Sequence, residues 1–158
     1  MIGGRAFSNA RNLKWFEFLP SIAQIETQAF FNTNLTNRDF RNCTGLNSLS
    51  VSAFNQAFGE NANNQYPDYS LGGTLYIPGN VTSLSQLAFA YNDPQITHIQ
   101  LGTADNPSQL ISVGVNSFVP NSANTKYTIT AYIPASSQGN PVWDIVANQA
   151  GEWHQEIV

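Results

Sequence analysis

The chain reads as an α/β solenoid, with short parallel strands stacked turn upon turn, irregular or short helical turns on the other side, and a capping helix at the C-terminal end. Three observations predict it. An alanine-phenylalanine pair returns at Ala6-Phe7, Ala29-Phe30, Ala53-Phe54 and Ala88-Phe89, each time with an aliphatic residue five positions before the Phe, at Ile2, Ile25, Leu49 and Leu84. Val113 with Ser117-Phe118 makes a fifth copy, and the Phe-to-Phe spacings of 23, 24, 35 and 29 residues suit a short solenoid turn with variable loops. Between the Phe residues the apolar positions alternate as they do in a strand, and the texture turns helical only after residue 140.

In the first turn Phe7 is followed by Leu13, by Phe16 and Phe18 on alternate positions, and by Pro20, Ile22 and Ile25. The fourth turn repeats the phrase as Leu75, Ile77, Pro78, Val81 and Leu84, leading into Ala88-Phe89. A proline directly after the last inward residue ends the ladder because it has no N–H to donate, so each strand is expected to hold about four to five residues. The next rung is Ile96, Ile99 and Leu101, followed by a loop with Asn106-Pro107, then Leu110 and Val113.

One stretch admits more than one register. Phe40, Cys43, Leu46, Leu49 and Val51 form a complete rung if Asp39-Phe40 takes the Ala-Phe slot. Alternatively Leu35 and Phe40 form the strand, with Leu46 and Leu49 leading to Ala53-Phe54; Ala57-Phe58 offers a third choice. Residues 59–73 read as an inserted loop. The domain plan is therefore a repeat stack of about five turns over residues 1–140 and a C-terminal capping helix over 141–158.

The cap is expected because an open terminal turn exposes its apolar stack. Pro141 stands at a first helical position, Val142, Trp143, Ile145, Val146 and Ala150 follow at helical spacing, and Trp153 and Ile157 lie beyond Gly151. The chain opens inside a repeat, at Met1-Ile2-Gly3-Gly4-Arg5-Ala6-Phe7, as expected of the C-terminal part of a longer protein. The alternative is a genuine start whose open edge is covered by a partner, or by another copy through self-association. No apolar run approaches the length of a spanning helix, so no membrane insertion is expected.

The phrases Ile2-Gly-Gly-Arg-Ala-Phe-Ser-Asn, Phe40-Arg-Asn-Cys-Thr-Gly-Leu and Gly73-Thr-Leu-Tyr-Ile-Pro-Gly-Asn-Val-Thr-Ser-Leu resemble the BspA-like family of leucine-rich repeats, found mainly in bacterial surface proteins. The resemblance covers most of residues 2–134. Thr130-Ala-Tyr-Ile-Pro-Ala-Ser, Trp143 and Gly151-Glu-Trp153 are similar to that family's terminal strand and capping helix. Asp39-Phe40, Ser117-Phe118 and the insertion depart from the pattern. The resemblance implies a leucine-rich repeat fold and a binding or adhesion module at a cell surface.

Composition agrees with an extracellular binding surface. Of 158 residues 42% are hydrophobic and only 10% charged, so Asn, Ser, Thr and Gln supply the solubility. The formal net charge of −4, with six scattered Lys and Arg, offers no basic patch for nucleic acid or an anionic membrane. Cys43 is the single cysteine, which excludes an internal disulfide, and with no His or Lys near it in sequence it reads as a structural residue of the turn. Asn34-Leu-Thr, Asn42-Cys-Thr and Asn80-Val-Thr fit the glycosylation acceptor pattern, as chance allows in so Asn- and Thr-rich a chain.

No catalytic constellation emerges. His98 and His154 are the only histidines, and neither has a Glu or a second His at ligand spacing, so no metal or cofactor is expected. There is no nucleophile elbow and no phosphate-cradling glycine loop. Among the acidic residues, Asp93-Pro94 and Asp105-Asn106-Pro107 read as turns and Asp144 as a first-turn helix charge, with Asp68 inside the insertion. A carboxylate pair for glycoside hydrolysis needs a fixed separation that turn residues rarely hold.

The outward sheet face remains. Where Phe16 and Phe18 point inward, Trp15 and Glu17 point out; the same alternation exposes Tyr76, His98 with Gln100, and Thr130 with Tyr132. Stacked rungs would align Trp15, Tyr76, His98 and Tyr132 as a stripe with polar neighbours, and aromatics with a polar handle favour recognition. The plain alternative is that they fill the exposed side of a sheet. The expected function is a non-catalytic module that binds a protein or glycan. A structural or receptor-recognising part of a larger assembly, such as a phage virion, is the second reading, and an accessory domain of a glycan-acting enzyme the third.

Overall fold

The computed structural model describes residues 1–58, 73–92, 96–120 and 126–158. The inserted loop, apart from Gly73, and Asp93-Pro94 lie outside the described residues, as do Asp68, Tyr66 and Tyr69. Along the chain run β1 (Gln24–Ile25), β2 (Ser48–Leu49), β3 (Thr74–Ile77), β4 (Ser83–Leu84), β5 (His98–Leu101), β6 (Ser112–Val113) and β7 (Thr128–Ile133), then α1 (Val142–Gln149) and β8 (Glu152–Ile157). They form two parallel sheets, β1-β2-β4-β6 and β3-β5-β7-β8. Such an arrangement, whose helical segments among the described residues are a turn of 3-10 helix at Ala135–Ser137 and the short α1, fits a repeat solenoid.

The aliphatic residue five before each Phe defines the small sheet. Ile25 pairs with Leu49, Leu49 with Leu84 and Leu84 with Val113, and Ile2 bridges Ile25 at the start. The Phe residues themselves stack. Successive rings of Phe7, Phe30, Phe54, Phe89 and Phe118 lie 5.1, 5.1, 5.4 and 6.3 Å apart between centroids, within 16° of parallel. All but Phe7 are buried, because Phe7 has a neighbouring turn on one side only.

The turn that presents each Phe has left-handed backbone at two fixed places. Arg5, Gln28, Ser52, Leu87 and Asn116, two before the Phe, and Asn9, Asn32, Gln56 and Tyr91, two after it, all have φ between 54° and 63°. Each such non-glycine residue costs about 1–2 kcal/mol. Inter-turn hydrogen bonding offsets it: Gln28 N–H donates to Val51, Phe30 N–H to Ala53 and Asn32 N–H to Asn55, and the same three bonds recur at each of the other junctions. Buried Asn92 adds a staple, its Oδ1 accepting from the N–H groups of Ala57 and Phe58 while its Nδ2 donates to the Phe54 and Phe89 carbonyls, all within 3.1 Å.

The ambiguous stretch resolves to the second register. Asp39 bridges Tyr76 and Phe40 N–H donates to the Tyr76 carbonyl, so Phe40 stands at the strand position and not in the Ala-Phe slot. Leu46 and Leu49 then lead to Ala53-Phe54, and the Phe58 ring lies beside that of Phe54 at 5.7 Å. The expected strand at Phe16 and Phe18 does not form. The carbonyls of Leu13 and Lys14, adjacent residues, both accept from the next turn, and a pleated strand sends adjacent carbonyls to opposite sides.

The C-terminal end also differs from a single helix over 141–158. Helix α1 stops at Gln149, with Val142, Trp143 and Val146 buried, and the chain returns as β8, which pairs in parallel with β7 along its whole length. Gly151 allows the reversal, since a Cβ there would sit 2.8 Å from the Lys126 side chain. Trp153 packs beside Trp143 at 6.4 Å.

Candidate functional site

The larger sheet is where side chains leave the core in an ordered way. Burial alternates along β3, β5 and β7, with Leu75, Ile77, Ile99, Leu101, Ile129, Ala131 and Ile133 inward. Their neighbours form the outer face. The register sets them in rows: Thr74, His98, Thr128 and Glu152 in one; Asp39, Tyr76, Gln100, Thr130 and His154 in the next; Tyr132 and Glu156 beyond.

The expected stripe is therefore a set of steps. Tyr76 is level with Gln100 and one row from His98, because the Tyr76-to-His98 interval is two residues shorter than the rung repeat, and two strand residues span about 6.6 Å. Tyr132 stands on the opposite flank of the Tyr76 row. Trp15 and Glu17 lie on the preceding irregular rung, both exposed, Trp15 to 60%.

Each side chain has a distinct environment. The Arg41 guanidinium forms a two-pronged ion pair with Asp39, Nε to Oδ1 at 2.9 Å and Nη2 to Oδ2 at 2.5 Å, and lies 4.2 Å over the Tyr76 ring. Burial raises the Asp39 carboxyl pKa, but the Arg41 hydrogen bonds and charge outweigh it and hold the group below its ordinary value. His98 Nε2 is 3.0 Å from Thr130 Oγ1, and burial together with nearby His154 lowers the His98 pKa. Gln100 Nε2 donates to the Gly102 carbonyl. His154 is 3.7 Å from Glu152 at the β8 edge. Although His98 and His154 are brought together, the described residues hold no group of three metal-ligating side chains.

Sequence reasoning missed the cleft beside this face. A hollow of about 620 Å³ opens between the first and second rungs, lined by Trp15, Glu17, Asn37, Asp39, Asn42 and Leu19. Its second wall was hidden by the open register at residues 35–54, although Asp39 immediately before inward Phe40 carried the alternation signal. Cys43 lies beneath it, buried, its thiol donating to the Phe18 carbonyl and its pKa pushed up to about 11 by burial and by Asp39. Of the acceptor asparagines, Asn34 donates to the Arg11 carbonyl and Asn80 to those of Cys43 and Leu46, so both amides are engaged between turns.

Residues 1–104 and 39–136 match the BspA type leucine rich repeat region, in 6 copies. The chain belongs to this family. The match holds one copy more than the five Ala-Phe turns read from the sequence. No curated protein and no solved structure matches the chain. BspA-type leucine-rich repeats are in general non-catalytic binding modules, which suggests a surface module for protein binding or adhesion. Among the described residues no helix is long and apolar enough to cross a membrane.

Proposed function

We infer that this chain is a non-catalytic binding or adhesion module of a cell-surface protein, working outside the cell, which recognises a protein or glycan through the outer face of the β3-β5-β7-β8 sheet. One observation carries the reading. The outer rows set Tyr76, His98 and Tyr132 among Gln100 and threonines on strands whose opposite face is fully buried, and the adjoining cleft adds Trp15 and Glu17 from the irregular rung beside them. A rigid support lets aromatic side chains meet a partner with little ordering cost. In this reading residues 1–140 are the repeat stack, and α1 with β8 closes its C-terminal end.

The test is a binding screen of the purified chain against a panel of extracellular matrix proteins and a glycan array, repeated with Trp15→Ala and Tyr76→Ala. The reading expects each variant to weaken the bound partner by about 2 kcal/mol or more at an unchanged melting temperature. Partners held equally well by the double variant would overturn it.

A further inference from the structure

Strand β8 is the last strand of the larger sheet, and among the described residues only β7 pairs with it. Five of its six residues are exposed, and Trp153 is half-buried. Val158 N–H donates to the Ile133 carbonyl, so by strand alternation the N–H and C=O groups of Glu152, His154 and Glu156 turn to β7, and those of Trp153, Gln155 and Ile157 turn to the open edge. The side chains divide in the same way. Trp153, Gln155 and Ile157 stand level with inward Ile129, Ala131 and Ile133, which leaves Glu152, His154 and Glu156 on the outer face. Proteins commonly blunt such an edge with lysine or proline, and β8 carries neither.

The sequence of β8 is its own complement about Gln155. Trp153 and Ile157, both apolar, stand two positions to either side of it, and His154 and Glu156 one position to either side. A second copy laid antiparallel along the edge, with Gln155 opposite its own twin, sets Trp153 against Ile157 on the inner face and His154 against Glu156 on the outer face, each twice. The pairs that exchange backbone hydrogen bonds are then those of Trp153, Gln155 and Ile157, whose groups face the edge. Neighbouring registers are poorer. Centring on His154 would oppose Glu152 to Glu156 and His154 to itself, and centring on Trp153 would leave Glu156 and Ile157 outside the ladder. The adjoining elements β7 and α1 bring one charged side chain, Asp144, and Lys126 stands beside Gly151, short of the paired stretch.

We propose that the open edge of β8 is a pairing surface for a second copy of this chain, the two β8 strands running antiparallel about Gln155 and joining the two larger sheets edge to edge. A second copy fits better than an unrelated strand, which would need apolar and charged residues at these same intervals; the chain itself already has them. The pairing does not depend on the outer face being the binding surface, but it sets two such faces side by side, and two linked sites hold a repetitive ligand more tightly than either alone.

The experiment is sedimentation velocity of the purified chain over a concentration series, where a reversible monomer–dimer equilibrium is expected. Gln155→Pro removes an N–H that faces the edge and leaves the β7 ladder intact, so it should abolish the dimer. Glu156→Lys sets a lysine against His154 of the other copy and should weaken the dimer about tenfold, and adding His154→Glu to the same chain should restore it. Circular dichroism spectra that superimpose on that of the unaltered chain certify the fold of each variant, and if Gln155→Pro misfolds, the charge exchange decides. A chain that stays monomeric throughout, or a dimer indifferent to Gln155→Pro and Glu156→Lys, would overturn the proposal. So would a dimer tightened by Glu156→Lys, as a register centred on His154 requires. If the chain is monomeric and Gln155→Pro instead abolishes a partner found by the screen, the edge serves a foreign strand and the self-pairing falls. If the dimer behaves as expected while screened partners ignore Trp15→Ala and Tyr76→Ala, the outer-face reading falls and the edge pairing stands.

Discussion

The rings of Phe30 and Phe54, twenty-four positions apart in the chain, lie 3° from parallel with centroids 5.1 Å apart. Each also meets Phe18, which approaches from the strand side of the stack, edge-on to Phe30 and tilted to Phe54. Parallel rings at this separation are offset, the arrangement aromatic pairs prefer, and their contact adds to the burial of both side chains.

Phe54 touches rings on both neighbouring turns and within its own, so Phe54→Ala should cost roughly 3–5 kcal/mol by denaturant unfolding, as should Phe89→Ala. Phe7→Ala should cost clearly less, because Phe7 is already part-exposed. Equal losses at Phe7 and Phe54 would contradict the stack as the source of stability.

Asn92 uses its whole amide to join two turns. Asn92→Ala leaves two buried N–H groups and two carbonyls without it, and should destabilise the chain by about 3 kcal/mol or more. A change below about 1 kcal/mol in the same unfolding measurement would show that water replaces the staple.

The ring column was legible because one spacing, five residues from aliphatic to Phe, survives loops of unequal length. The outward rows were legible in direction, since Ile77, Ile99 and Ala131 fix the pleat, but their register was not, because loop lengths decide how far each strand slides. The left-handed residues carried a signal only at Asn9, Asn32 and Asn116, asparagine being the one type among the nine that favours positive φ. Arg5, Gln28, Ser52, Leu87 and Asn116 share no propensity for positive φ, and the bonds that impose it come from the next turn. The strand β8 was hidden for a related reason: Trp153 and Ile157 are four apart, a helical spacing, and only pairing with β7 makes them extended.

His98 gives the chain a pH response. Burial and His154 place its pKa below the ordinary 6.5, so the unfolded chain binds the proton more readily than the folded one. Its contribution is complete above about pH 6.5 and is lost as pH falls through that value towards the folded one. Melting temperature should therefore decline between about pH 7 and pH 5, and His98→Gln should flatten the decline. Asp39, whose pKa is depressed, acts only at lower pH, its stabilisation being lost as the carboxylate protonates below its ordinary 3.8.

Cys43 should resist thiol reagents at neutral pH, since its thiol is buried and its pKa stands near 11. A disulfide-exchange reagent should react with it only at the rate of unfolding. Rapid labelling of the native chain would place the cysteine in an open cleft floor.

Removal of residues 141–158 takes away α1 and β8 together, uncovering Phe118 and the β7 edge. The shortened chain should aggregate in static light scattering. A soluble product with an unaltered melting temperature would show that this segment does not close the stack.

The central claim, that the outer face of the larger sheet is the binding surface, is tested most directly by hydrogen–deuterium exchange of the chain with and without a partner found by the screen. The account predicts slowed exchange in residues 14–20, 37–44 and 74–77, around the Trp15 cleft and Tyr76. Protection confined to the turns of the small sheet, around Val51 and Val115, with residues 14–20 and 37–44 unchanged, would contradict it.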